Sequence, residues 1–325
     1  MKRSTWFGLR KVAGLLVLGL DLSACVGAPP ARAGAVRIEA GDYVITQESP
    51  AARRAARSRT AGSAIFVLKA SGKIDTLAVP PAVSGPRGIR EDRDGSFVFA
   101  DAIGGSIGRI MRDGTLKTVF RGAPLTEPKD IALDRDGGYV IADFSAFTSS
   151  SEAKIVRLSP EGKASIVYSG APLVWPHGIA VDAGGDYIIA DHSGCIYRLS
   201  GAGRITLVAK GDPLVAPQDV KIDANGRYIV TDIGMVIDPR SGQPDPERSR
   251  NPGKLLRITP EGQVSVLARV PMARFRAVAA ANAGGFLVVD MRGDAILHYT
   301  DDGGSSDVVY QGAPLSQPSG IAQTR

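Results

Sequence analysis

The amino-acid sequence predicts an all-β fold: a six-bladed β-propeller of four-stranded antiparallel blades, closed by pairing of the C-terminal strand with the N-terminal blade. Two recurrences and one split phrase predict it. A phrase of the form "PHGIAVDAGGDYIIAD" begins at Pro86, Pro128, Pro176, Pro217 and, less regularly, Phe275, and its first half returns at Pro318. Successive starts lie 42, 48, 41, 58 and 43 residues apart, a period that belongs to stacked arrays and propellers. A second phrase, such as "KIVRLSPEGKASIVY", occurs six times, near residues 64–79, 107–120, 154–168, 195–208, 254–267 and 295–310.

Each phrase reads as a hairpin. In the first, two apolar runs flank a turn written Asp94-Gly95, Asp136-Gly137, Gly184-Gly185 or Asn225-Gly226, residues that tolerate the positive φ of tight hairpin turns. In the second, two alternating runs flank a glycine. Two hairpins make one four-stranded blade. The first hairpin is complete five times, and the sixth is split between "GDYVITQ" at 41–47 and "PSGIAQ" from Pro318. Pairing these two pieces closes the ring and removes the edges that would invite aggregation.

The N-terminal stretch stands apart from the repeats. "MKRSTWFGLRKVAGLLVLGLDLSACVG" has a basic front, an apolar run from Val12 to Leu20 and then small residues. Such a run is too short for a bilayer span of about 20 residues and suits a secretory signal. Leu22-Ser23-Ala24-Cys25 resembles a bacterial lipobox, which makes residues 1–24 a signal peptide and Cys25 the lipidated residue. Cleavage after Ala31-Arg32-Ala33 is the alternative, giving soluble export. The expected location is the periplasm, or the outer membrane through a lipid anchor. Residues 25–40 read as a linker and 41–325 as the propeller. Of the net charge of +6, Lys2, Arg3, Arg10, Lys11 and Asp21 supply +3. The remaining +3 does not argue for nucleic acid. Cys195, the second of two cysteines, then has no partner within the exported chain and reads as a buried structural thiol.

The pattern P-x-G-[IV]-A-x-D…G-x-[YF]-[IV]-x-A-D…[IV]-x-R resembles the NHL-repeat family and its six-bladed relatives, from Asp42 to the end. The resemblance implies a propeller scaffold that serves lactonases of the gluconolactonase group, peptide-amidating lyases, streptogramin lyases and pure binding modules. The polar loop after the blade acid departs from the pattern, reading Ala102-Ile103-Gly104, Phe144-Ser145 and His192-Ser193-Gly194. The glutamate–asparagine ligand set of gluconolactonases does not map onto these residues. Fold alone does not fix function.

Function is therefore sought where the repeats disagree. Acids close the second strand of five blades, Asp101, Asp143, Asp191, Asp232 and Asp290, with Gln47 in the sixth place. Their regularity suits turn-capping, not chemistry. The residue after the leading proline instead runs Arg87, Lys129, His177, Gln218, Arg276, Ser319, and the next runs Gly88, Asp130, Gly178, Asp219, Ala277, Gly320. A polar, non-repeating rim suits a binding site on a repeating scaffold. Arg87, Lys129, His177, Gln218 and Arg276 are the candidate ligand-binding residues.

No H-E-x-x-H or P-loop motif occurs, and the one G-x-S-x-G string, Gly104 to Gly108, falls in a predicted hairpin and makes no nucleophile elbow, so a catalytic role falls on His177, His192 or Arg87. His298 replaces the arginine of the other third strands (Arg157, Arg198, Arg257) and reads as peripheral. Asp130 and Asp219 flank the repeat that carries His177, and two carboxylates with one imidazole would suit a divalent cation, zinc or calcium. The alternative pairs Asp130 with Lys129 or Arg87. Two long loops, 48–62 with Arg53, Arg54, Arg57 and Arg59, and 233–253, are expected on the same face. Two functions fit: an exported binding module for a small molecule or protein partner, or a metal-dependent hydrolase or lyase at the same mouth.

Overall fold

The computed structural model describes residues 36–49, 62–145, 153–235, 251–304 and 306–324. They form six four-stranded antiparallel sheets. Blade 1 combines the C-terminal strand Pro318–Gln323 with Tyr43–Gln47, Ala64–Leu68 and Ile74–Ala78. Blades 2 to 6 follow in sequence order, their innermost strands being Pro86–Glu91, Pro128–Leu133, Pro176–Val181, Pro217–Ile222 and Phe275–Ala280. The split blade closes as the sequence predicts: Ile45 pairs with Ile321 and Val44 with Ala322.

Alternation explains where the core sits. Each strand sends alternate side chains to opposite sheet faces, and in a ring both faces of a blade meet a neighbour. Apolar clusters accordingly lie at all six blade junctions: Ile89 and Val67 between blades 1 and 2, for example, and Ile179 and Val140 between blades 3 and 4. Cys195 is buried in the latter cluster. Within the stretch 36–40, expected at the end of a linker, Arg37, Glu39 and Ala40 are exposed, while Ile38 is buried beside Ile89 and its amide donates to the Arg112 carbonyl at 2.8 Å.

The recurrent third-strand arginines clamp neighbouring blades. Arg109 donates to Asp92 at 2.7 Å, and Tyr139 of the next blade donates to the same carboxylate at 2.5 Å. Arg157 and Tyr187 converge likewise on Asp134, and Arg198 donates to the Tyr228 hydroxyl at 2.6 Å. At the next junction a ring without a hydroxyl, Phe286, lies 6.0 Å from the Arg257 guanidinium carbon. Burial and Asp92 together push the Tyr139 phenol up to about 12. His298, as expected away from the channel, engages the Gly284 carbonyl.

Candidate functional site

The innermost strand of every blade carries a bulge at one place. Pro176 pairs with Asp191 and Gly178 with Ala190, so His177 has no pairing partner between them. The register skips Lys129, Gln218, Arg276 and Ser319 in the same way, and in blade 2 it skips Arg87 and Gly88. A bulge re-aims a side chain and breaks strict alternation. Here it directs the non-repeating column toward the channel: Arg87, Lys129, His177, Gln218, Arg276 and Ser319 line one central cavity.

The blade acids hold this rim still. Asp191 accepts from the amides of Val174 at 2.9 Å and Trp175 at 3.1 Å, and from Ser193 at 2.9 Å. Asp101, Asp143, Asp232, Asp290 and Gln47 make the corresponding bonds to their own lead-in loops. Their role is the structural one expected, and it extends to the segment before the leading proline.

A second ring surrounds the first. The residue after each blade acid, Glu48, Ala102, Phe144, His192, Ile233 or Met291, supplies it, and the two rings meet in pairs. On one side Arg87 Nε donates to Glu48 at 2.7 Å, with both side chains buried, and Arg276 approaches Glu48 at 3.5 Å and the Met291 sulfur at 3.3 Å. On the other side the rings of His177 and His192 lie 5.1 Å apart, with Phe144 6.5 Å from His177 and Trp175 5.6 Å from His192. Lys129 pairs with Glu127 and lies 5.5 Å from the Phe144 ring centre. One half of the mouth is charged and the other is aromatic.

Both imidazoles are neutral at physiological pH. Burial holds His177 well below the usual histidine range, and His192, Arg87, Lys129 and Arg276 add to the effect. Burial, then Arg276 and Arg87, bring His192 down to about 3. The Gln218 amide donates to His192 Nδ1, which leaves the ring proton on Nε2. That buried nitrogen has no hydrogen-bond partner among the described residues.

Below the mouth, Asp130 and Asp219 do come together, around cations of the chain itself. Arg90 Nη2 donates to Asp130 at 2.6 Å and to Asp219 at 3.3 Å, and Lys221 donates to Asp219 at 2.6 Å. Each acid also reaches the next blade along the ring. Asp130 accepts from the Ile179 amide at 3.0 Å through the same oxygen, Oδ2, and its Oδ1 has no hydrogen-bond partner among the described residues. Asp219 accepts from the Val278 amide at 3.0 Å through its other oxygen. Neither Lys129 nor Arg87 is the partner of Asp130, because the bulge turns both up toward Glu127 and Glu48. Burial raises the Asp130 carboxyl, against the pull of Arg90; at Asp219, Lys221 and Arg90 outweigh burial and lower it. Among the described residues no three His, Cys, Asp or Glu side chains are arranged to hold a metal ion, so Asp130, His177 and Asp219 do not form the expected ligand set. The central cavity that the rim shares with this cluster has a volume of about 20 Å³, room for one water, so the cluster plugs the channel directly beneath the rim.

Arg90 and Lys221 escaped sequence reasoning, although a signal existed. The fourth column of the first strand reads Arg90, Ala132, Ala180, Lys221, Ala279, Ala322: two cations among alanines. Glu48 and Phe144 were hidden because the loops after the blade acids do not repeat, and Trp175 because it occupies a variable position of the repeated lead-in Gly170 to Pro176. Cys25, the leader, Arg53, Arg54, Arg57, Arg59 and residues 236–250 of the second long loop lie outside the described residues.

No family model and no curated protein matches the chain. Solved structures do. A chain of the nidogen–laminin complex is 18% identical, with a TM-score of 0.65 over 86% of this chain and 97% of that one. A streptogramin B lyase is 16% identical, with a TM-score of 0.59 over 87% and 92%. A gluconolactonase from Xanthomonas campestris is 16% identical, with a TM-score of 0.56 over 78% and 84%. At such identities the likeness is one of fold: the chain is a six-bladed β-propeller of the architecture that a chain of the nidogen–laminin complex, a streptogramin B lyase and a gluconolactonase share.

Proposed function

We propose that this protein is a ligand-binding propeller that captures a small, hydroxyl-rich anion, such as a sugar acid, on the outer face of the channel mouth, above the one-water cavity that the rim encloses. The observation that carries this reading is the meeting of the two non-repeating rings on one face of a repeating scaffold. Arg87, Lys129 and Arg276 supply positive charge, Glu48 and Glu127 accept from hydroxyls, and Phe144 and Trp175 offer apolar faces to a sugar ring. The Nε2 hydrogen of His192 is a fixed donor awaiting an acceptor, and a buried donor left unpaired costs about 1–3 kcal/mol. Binding a ligand oxygen there recovers that energy.

Calorimetric titration with glucuronate and with its neutral counterpart glucose tests the reading. Saturable binding of glucuronate, at least tenfold weakened by Arg276→Gln and by His192→Phe, is the expected result. Absence of binding by glucuronate, or equal binding of glucose, would overturn it. A hydrolase or lyase at the same mouth is the competing reading; His177, which lines the cavity, would be its proton acceptor, with a proton affinity that burial lowers. Turnover of a sugar lactone by the protein, with or without added zinc or calcium, would replace binding by catalysis.

A further inference from the structure

The ionic plug divides the channel into two chambers of opposite character. The lower one has a volume of about 280 Å³, near the lower end of the ~300–1,000 Å³ range of small-molecule sites. Leu133, Ile222, Ala279 and Ala322 form its walls, and Arg90 and Lys221 line it, whereas Asp130 and Asp219 do not. The carboxylates line the chamber above, which Arg90 also reaches. The plug is therefore balanced in charge but polarised along the channel: both cations face the lower chamber and neither carboxylate does. The cause is position along the strand: the acids stand in the second column after the leading proline and the cations in the fourth.

Lys221 has capacity left. Its ammonium group carries three hydrogens; one is directed to Asp219 at 2.6 Å and a second to the Val220 carbonyl at 3.4 Å. The acid in the lining, Glu91, is drawn to Arg112 at 2.7 Å. Alanines at four of the six fourth-column positions keep the chamber open, and their methyl groups offer no hydrogen bonds to a polar guest.

We propose that this lower chamber is a second binding site, specific for a small monocarboxylate with a compact apolar body: the carboxylate meets Lys221 and Arg90, and the body packs on Leu133, Ile222, Ala279 and Ala322. It is separate from the channel mouth, since the plug blocks passage and the two ends differ in chemistry. A hydroxyl-rich anion suits the mouth, and an apolar one suits this end.

Benzoate is the probe, with benzamide as its uncharged counterpart of the same shape. Fluorine NMR of 4-fluorobenzoate and calorimetry with benzoate read binding to the full chain. Benzoate is expected to bind saturably and at least tenfold tighter than benzamide. Ala279→Phe fills the chamber and is expected to abolish binding while the protein keeps its cooperative melt. His177→Ala, at the other end, is expected to leave benzoate affinity within twofold. Equal binding of benzamide, no saturable binding of benzoate, or full binding by a folded Ala279→Phe variant would overturn the proposal. Loss of benzoate binding in His177→Ala would move the anion to the mouth and overturn it as well. Because glucuronate reports the mouth and benzoate the lower chamber, either site can fail alone.

Discussion

Arg90 and Asp130, on the innermost strands of neighbouring blades, form a 2.6 Å ion pair inside the channel, and the same guanidinium nitrogen reaches Asp219 two blades further on. One side chain thus ties blade 2 to blades 3 and 5. Removing one partner of a buried pair leaves an uncompensated charge, which costs about 3–5 kcal/mol. Arg90→Met is expected to lower unfolding free energy by that amount in urea titrations, and adding Asp130→Asn to restore part of it. An Arg90→Met protein as stable as the parent would mean that solvent or another group neutralises both acids.

His192 makes stability depend on pH. Its pKa is about 3 in the folded protein against about 6.5 unfolded, so the unfolded state binds the extra proton between these values and stability rises with pH across that window. Stability is fully present above about pH 6.5 and is lost as pH falls toward 3. At pH 5 the loss from this one group is about 2 kcal/mol. Asp130 acts oppositely above its ordinary value, because its carboxyl is raised. Thermal melts from pH 7.5 to 5 should fall, and His192→Gln should flatten that slope. An unchanged slope in the variant would show His192 protonating freely when folded.

The blade clamps predict a stabilising substitution. Arg198 Nη2 has the Tyr228 hydroxyl as partner, whereas Arg257 has the plain ring of Phe286 and its Nη2 donates to the Asp301 carbonyl instead; the Nε of each finds no hydrogen-bond partner among the described residues. Phe286→Tyr should add one hydrogen bond to the guanidinium, about 0.5–1.5 kcal/mol. Its counterpart, Tyr228→Phe, should cost a similar amount. Both are read from denaturant midpoints at constant slope.

Ring closure rests on the last strand. Ile321 is buried, Thr324 donates to the Glu39 and Asp42 carbonyls, and Ser319 donates to the Thr46 carbonyl. Removing Pro318 to Arg325 exposes two strand edges and unpairs several buried backbone groups at about 1–3 kcal/mol each. That is comparable with a whole domain stability of about 5–15 kcal/mol. The truncated protein should lose its cooperative melt; a midpoint within a few degrees of the full chain would contradict closure by this strand.

Export is testable apart from the fold. We propose that Cys25 carries lipid, in which case Cys25→Ser moves the protein out of the membrane fraction, since stable anchoring needs more than one acyl chain and bacterial lipoproteins supply them at that residue. A mature N-terminus at Gly34 in mass spectra would mean soluble export instead.

The sequence by itself determined the blades. Hairpin turns such as Asp94-Gly95 and apolar runs such as Tyr187–Ala190 are local, and six copies make the signal redundant. It also exposed the column from Arg87 to Ser319, because a repeat makes its exceptions visible. What that column touches was decided only by tertiary structure. Each bulge adds one residue, and a one-residue shift sends a side chain to the other side of a strand. This is why Lys129 and Arg87 turn away from Asp130 while Arg90 turns toward it. The Arg90–Asp219 contact spans 129 residues, and no local pattern encodes a distance of that kind. Closing the ring brings the two together, and with them the plug that separates the mouth from the chamber below.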